Sequence, residues 1–230
     1  PPQNPKIVDG KLRSVSAGIN YDSRPLILNK GEEMQGFAEQ YTLLSAGIQY
    51  ASPKFLRSDF DFRRYSISVD RRQRIFGLGT STLYFYWGAS DRALPPQEYF
   101  TVDYSGDLFL NRKGFSTLGR NNFSGSQATV VTLRHDFGRR LFYRSGLPLV
   151  KSLPLDLSVF GGAFWTDFRN HPAMVGDNSV RVARRAYSEI GFRVANLTPF
   201  LSPFNFGVDF SWQLSAYNTN RSAITLRLGL

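Results

Sequence analysis

Cysteine is absent from this chain of 230 residues, which excludes disulfide staples and thiolate metal centres. Histidine occurs only twice, as His135 and His171. Neither has a neighbouring set of ligands at metal-binding spacing. Long hydrophobic runs are missing too. The longest unbroken apolar stretch is Leu83–Trp87, far short of the roughly 18 residues a membrane-spanning helix needs, so a helical membrane protein is excluded. The chain opens at Pro1 on polar, proline-rich sequence with no signal peptide; it reads as a mature protein or as a piece of a longer one. Gly77-Leu78-Gly79 and Gly161-Gly162 precede no helix start, so neither builds a phosphate-cradling loop. In strands such glycines relieve crowding or mark a bend.

Aromatic residues are abundant. They make up 15% of the chain, with 20 Phe and 11 Tyr, a composition that suits strand faces and membrane-interface girdles. Phe204–Leu214 reads F-N-F-G-V-D-F-S-W-Q-L. Phe204, Phe206, Val208, Phe210, Trp212 and Leu214 alternate with Asn205, Gly207, Asp209, Ser211 and Gln213. Successive side chains on a strand point to opposite faces, so one face is aromatic and the other polar. Nine segments show this alternation: Leu12–Asp22, Leu43–Ala51, Asp61–Asp70, Gly79–Ala89, Ser126–Phe137, Leu155–Thr166, Ala186–Ala195, Phe204–Leu214 and Ala223–Leu230. Most have the length of a tilted strand crossing a bilayer. A mean hydropathy of −0.27 fits a barrel in which half of each strand faces a polar lumen.

The pattern predicts an all-β, antiparallel transmembrane β-barrel, with residues 1–230 forming one domain and a long outside loop at about 90–122. The predicted lipid-facing set comprises Phe204, Phe206, Val208, Phe210, Trp212, Leu226 and Leu228; the predicted lumen-facing set comprises Glu189, Arg193, Asp209 and Arg227. Placing the C-terminus inside puts the connections Ser52–Phe60, Ser90–Gly125, Asp167–Arg185 and Tyr217–Arg221 outside. The connections Ser23–Thr42, Arg71–Leu78, Gly138–Pro154 and Asn196–Pro203 then lie inside. Nine strands is an odd number, whereas complete bacterial barrels have even counts. The expectation is therefore the C-terminal part of a larger barrel, unless Tyr99–Tyr104 or part of Ser23–Thr42 adds a strand.

The net charge of +10 suits attraction to phosphate. The arginines do not sit among the aromatics, so no nucleic-acid partner is expected. Arg71, Arg72 and Arg74 are candidates for contact with lipid or lipopolysaccharide head groups. His135 lies on the apolar parity of its strand and reads as an interface ring or a packed neutral imidazole. His171 precedes Pro172 in a loop and reads as solvated. No nucleophile and base lie together in the sequence, so neither enzymatic chemistry nor a cofactor or metal is expected.

Five alternating segments follow the connection Ser90–Asn122. Among them Leu155–Trp165 reads L-D-L-S-V-F-G-G-A-F-W and Glu189–Leu230 supplies three closing strands. Over about residues 60 to 230 this resembles the superfamily of BamA-type outer-membrane assembly factors and two-partner-secretion transporters. It is closest to a Bacteroidetes-type branch of unassigned activity that carries a carboxypeptidase-regulatory-like domain. Phe115–Gln127 (F-S-T-L-G-R-N-N-F-S-G-S-Q) and the run from Leu133 through R-H-D-F-G, L-F and L-P-L-V-K-S-L carry that closer likeness. The resemblance implies a complete barrel of about 16 strands. It also implies a loop tip folded into the lumen, where family members carry Arg-Gly-Phe or Arg-Gly-Tyr. The corresponding slot here reads Phe115-Ser116-Thr117-Leu118, with Arg112-Lys113-Gly114-Phe115 just ahead of it. The implied work is non-enzymatic: outer-membrane protein insertion, protein export, or service as a barrel subunit of an envelope complex in a Gram-negative-type bacterium. Ala223–Leu230 would form the lateral seam. The alternative is a soluble lipocalin-like barrel with its aromatic face turned inward around a small apolar ligand.

Overall fold

A computed structural model describes residues 8, 10–29, 32–35, 39–102, 114–119, 123–144, 146, 154–168, 180–197 and 205–229. Its strands are β1 (Ser14–Asp22), β2 (Leu26–Asn29), β3 (Glu32–Gln35), β4 (Tyr41–Ala51), β5 (Phe62–Ile75), β6 (Gly79–Ser90) and β7 (Phe100–Val102), then β8 (Phe123–Gly125), β9 (Gln127–Gly138), β10 (Asp156–Asp167), β11 (Tyr187–Ala195), β12 (Asn205–Gln213) and β13 (Ser222–Gly229). Nine of them form one sheet in the order β1-β4-β5-β6-β9-β10-β11-β12-β13, antiparallel throughout. These are the nine segments that alternation marks. Each pairs with the next, as expected where β-branched and aromatic residues alternate with polar ones. Among the described residues β1 and β13 are the edges of this sheet.

The turns explain where strands stop. Gly77 takes φ +74, a conformation that favours glycine, and the Leu78 amide donates to the Ile75 carbonyl at 3.1 Å. That tight turn lets β5 run to Ile75, five residues beyond the sequence-predicted end at Asp70. The basic segment containing Arg71, Arg72 and Arg74 is therefore strand, not turn.

The segment between β6 and β9, expected to be an outside loop, folds back over one face of the sheet. β7 pairs with β8 in a separate two-stranded sheet, and Ser116–Leu118 forms a 3₁₀ turn. Its aromatic residues drive this. Phe115, Leu118 and Phe123 are buried with Val130, Phe164 and Tyr187; Phe100 is buried with Phe60, Phe62, Leu94, Tyr99 and Ala128. A β-carbon on Gly88 would come within 2.4 Å of the Phe100 ring, so glycine there makes room for that ring. The guanidinium of Arg64 lies over the same ring, 4.3 Å from its centre. The two extra pairings, β2 with β3 and β7 with β8, stay outside the main sheet, so among the described residues of Tyr99–Tyr104 and Ser23–Thr42 none adds a tenth strand to it.

Candidate functional site

Strand parity assigns each side chain to one of two faces, and burial identifies which is covered. On the covered face lie Glu189 (5% exposed), Arg193 (6%), Asp209 (2%) and Arg227 (2%). On the opposite, open face lie Ile190 (49%), Trp212 (44%), Ile224 (74%) and Leu226 (51%). Strands β11, β12 and β13 thus cover their charges and expose large apolar groups, the reverse of a water-soluble sheet. Phe206, Val208, Phe210 and Leu228 share the open face and are half-buried against their neighbours; the Phe192 and Phe210 rings stack at 4.9 Å. Phe204 lies outside the described residues.

The buried charges form one network. Register places Arg193 directly opposite Asp209, and Arg227 opposite Gly207, two residues along and on the same face as Asp209. Both Arg193 nitrogens Nε and Nη2 donate to the Asp209 carboxylate, Nη2 at 2.6 Å. Arg227 Nε donates to the same carboxylate at 3.0 Å. Arg227 Nη2 also reaches Ser116 Oγ at 3.3 Å, joining the network to the folded-back segment. Glu189 then holds that segment. Its carboxylate accepts from the Ser116 amide at 3.1 Å, from the Thr117 amide at 2.7 Å and from the Thr117 hydroxyl. Thr117 Oγ1 also contacts the Tyr187 hydroxyl at 2.6 Å, and the Asn220 amide donates to the Thr117 carbonyl at 3.2 Å. The two carboxylates and two guanidiniums balance in charge, the condition for burying them together. A pocket of about 40 Å³ remains between the turn and these charges.

The slot Phe115-Ser116-Thr117-Leu118, read from sequence as a loop tip, is the turn Glu189 grips. The sequence marks neither Tyr187 nor the grip of Glu189 on Ser116 and Thr117. Burial of backbone amides on a distant glutamate leaves no periodic signal. A second cluster on the covered face joins Arg134 Nε to Asp136 at 2.6 Å and Arg134 Nη2 to Ser158 at 2.9 Å.

The three head-group candidates are not brought together. Arg71 is exposed on the open face, where its Nη2 donates to Gln73 Oε1 at 3.0 Å. Arg72 and Arg74 have the opposite parity, and Arg74 pairs with Glu39 at 3.0 Å. At the same end of the sheet, Asp22 hydrogen-bonds the Arg24 guanidinium and pushes its pKa up. His171 lies outside the described residues. His135 is on the open face, half-buried, its ring 4.3 Å from that of Phe137. Its Nδ1 lies 2.8 Å from Ser81 Oγ and its Nε2 lies 3.3 Å from the Leu78 carbonyl. Ser81 has no distinguishing sequence context, and only the β6–β9 register brings it to His135.

No protein-family model matches the chain, and no curated protein matches it in sequence.

Proposed function

We propose that this chain is wall and plug of an outer-membrane β-barrel related to the BamA-type and two-partner-secretion superfamily, in a Gram-negative-type bacterium. In this reading the open face meets lipid and lipopolysaccharide, the covered face is the lumen wall, and the β6–β9 segment plugs the lumen. The barrel's work is insertion or export of proteins, or a barrel subunit's role in an envelope complex, with β1 and β13 as the edges at which a seam can open.

One observation carries the reading. Asp209 and Arg227 are almost fully buried while Ile224, Leu226 and Trp212 on the same strands are exposed. Water would penalise that belt at roughly 25 cal/mol per Å² of apolar surface, and hydrocarbon removes the penalty. The strands suit it as well, spanning 8 residues in β13 to 14 in β5, against about 9–11 for a tilted crossing. Trp87 and Trp165 flank Thr129 in one cross-strand row, as in an interfacial girdle. A lipocalin-like barrel would need the opposite arrangement, with Phe206, Phe210 and Trp212 on the covered face.

The test is refolding of the purified chain with and without detergent or lipid vesicles. The expected result is folding and monodispersity only with amphiphile, and unboiled protein that migrates differently from boiled protein on a detergent gel. A monodisperse, folded chain in plain buffer would overturn the reading.

A further inference from the structure

Ser81, which no sequence signal marks, lies on the open face in a cross-strand row. Register places Gln73 of β5 opposite Ser81 of β6, Ser81 opposite His135 of β9, and His135 opposite Val159 of β10. The hydrogen bonds along this row define proton positions. The Leu78 carbonyl can only accept, so its contact with His135 Nε2 at 3.3 Å puts the ring proton on Nε2. Nδ1 of the neutral ring is then an acceptor, and the 2.8 Å contact is a hydrogen bond from the Ser81 hydroxyl. Nucleophile, base and a third group orienting the base are in place, the arrangement that activates a serine. Phe137 packs edge-on against the imidazole at 4.3 Å and limits its rotation.

The flanks of the row are chemically distinct. On the β5 side, Arg71 engages the Gln73 amide oxygen at 3.0 Å, which leaves the Gln73 amide N–H groups to donate. On the β10 side opens an apolar groove of about 690 Å³, lined by His135, Val159, Ile190, Phe192 and Trp212. Its floor includes Gly161, where a bulky belt residue would fill it. The groove accepts a hydrocarbon chain, and His135 sits at its rim.

We infer that Ser81 and His135 form an acyl-ester hydrolase site on the open face, acting on glycerophospholipid with one acyl chain in the groove. Ser81 Oγ attacks the ester carbonyl carbon as its proton passes to His135 Nδ1. The carbonyl π electrons move to oxygen, where the Gln73 amide stabilises the charge. Collapse breaks the acyl C–O bond, and the leaving glycerol oxygen takes the proton from Nδ1, giving lysophospholipid and acyl-Ser81. Water, deprotonated by Nδ1, attacks the acyl-serine; the proton returns to Ser81 Oγ, and a fatty acid leaves. Atoms and electrons balance with water as the only co-reactant. The choice of a lipid ester rests on the open face meeting lipid; the serine chemistry goes beyond the barrel reading.

The test treats the full chain, folded in a non-ester detergent, with a fluorophosphonate probe and maps the modified peptide by mass spectrometry. Fatty acid and lysophospholipid release from phosphatidylcholine mixed micelles is measured in parallel. The expected result is phosphonylation of Ser81, equimolar release of the two products, and loss of both in Ser81→Ala. His135→Ala should slow labelling about 10²-fold or more, and Gln73→Leu should lower lipid turnover about 10²-fold. Hydrolysis persisting in Ser81→Ala would overturn the inference, as would an unlabelled Ser81 in folded wild-type protein. The wild-type labelling map decides even if a variant misfolds. Vesicle insertion with an unlabelled Ser81 would refute this site alone and leave the barrel reading standing.

Discussion

Replacing Glu189 by alanine removes the acceptor that holds the Ser116–Leu118 turn against the sheet. Two backbone amides and one hydroxyl converge on its carboxylate, and Ser116 and Thr117 are 4% and 0% exposed. A buried donor left without an acceptor costs about 1–3 kcal/mol. Two stranded amides therefore disfavour the docked turn by about 3–4 kcal/mol, after partial relaxation of the segment. At 1.4 kcal/mol per tenfold, the undocked population rises roughly 10²–10³-fold. Amide hydrogen exchange of the peptide carrying Ser116 and Thr117 reads this directly. Its exchange should accelerate by that factor in Glu189→Ala, while β4 and β5 amides keep their wild-type rates. Glu189→Gln should fall between, because one carbonyl oxygen still accepts while the new amide N–H groups face donors. If the turn plugs a lumen, Glu189→Ala should also raise conductance in planar bilayers. Identical exchange at Ser116 and Thr117 in wild type and Glu189→Ala would refute the latch, whatever the conductance.

Three further perturbations test other parts of the molecule. Asp209→Ala leaves two buried guanidiniums without their shared carboxylate and should destabilise by about 3–5 kcal/mol, lowering the urea midpoint by about 1–3 M. Adding Arg193→Met and Arg227→Met should restore most of that loss; no recovery in the triple variant would mean the three residues do not act as a unit. Ile190→Arg places a charge in the middle of the open face. It should destabilise the vesicle-inserted chain by about 2–4 kcal/mol, whereas a water-facing site would register less than about 0.5 kcal/mol. Gly88→Ala drives a methyl group into the buried Phe100 ring and should cost about 1–3 kcal/mol, measured in the same unfolding titration; a smaller change would show that β7 adapts freely.

Much of the main sheet was legible because a period of two is a local property. Leu43–Ala51 and Gly79–Ala89 carry their face assignments in their own residues, and the observed strands differ at most ends by one or two residues. β5 is the exception. Arg71, Arg72, Gln73 and Arg74 interrupt the apolar parity, so alternation ends at Asp70, yet the β6 partners continue pairing to Ile75. A strand's end is decided by its neighbour's backbone as much as by its own side chains. The folded-back segment was illegible for a related reason. Phe115 and Phe123 stand singly among small and polar residues, and the run Tyr99-Phe100-Thr101-Val102 is too short to say where it docks. They bury only because the sheet offers matching gaps, as Gly88 does for Phe100.

The two sites differ in what hid them. Glu189, Arg193, Asp209 and Arg227 were visible as charges on a common parity, and what sequence lacked was their pairing. That pairing follows once adjacent strands are in register, because each strand meets the next in order. Ser81 and His135 are 54 residues apart, with the whole β6–β9 connection between them. A shift of one residue in that pairing would turn His135 to face a different neighbour and invert the faces of one strand relative to the other. The register that joins them is enforced elsewhere. Leu83 must meet Leu133 and Phe85 must meet Val131 on the open face, while Thr82 and Val130 face the covered side. The Ser–His contact is thus a consequence of apolar matching along the same two strands, so a substitution that loosened that matching would disperse the pair without touching either residue.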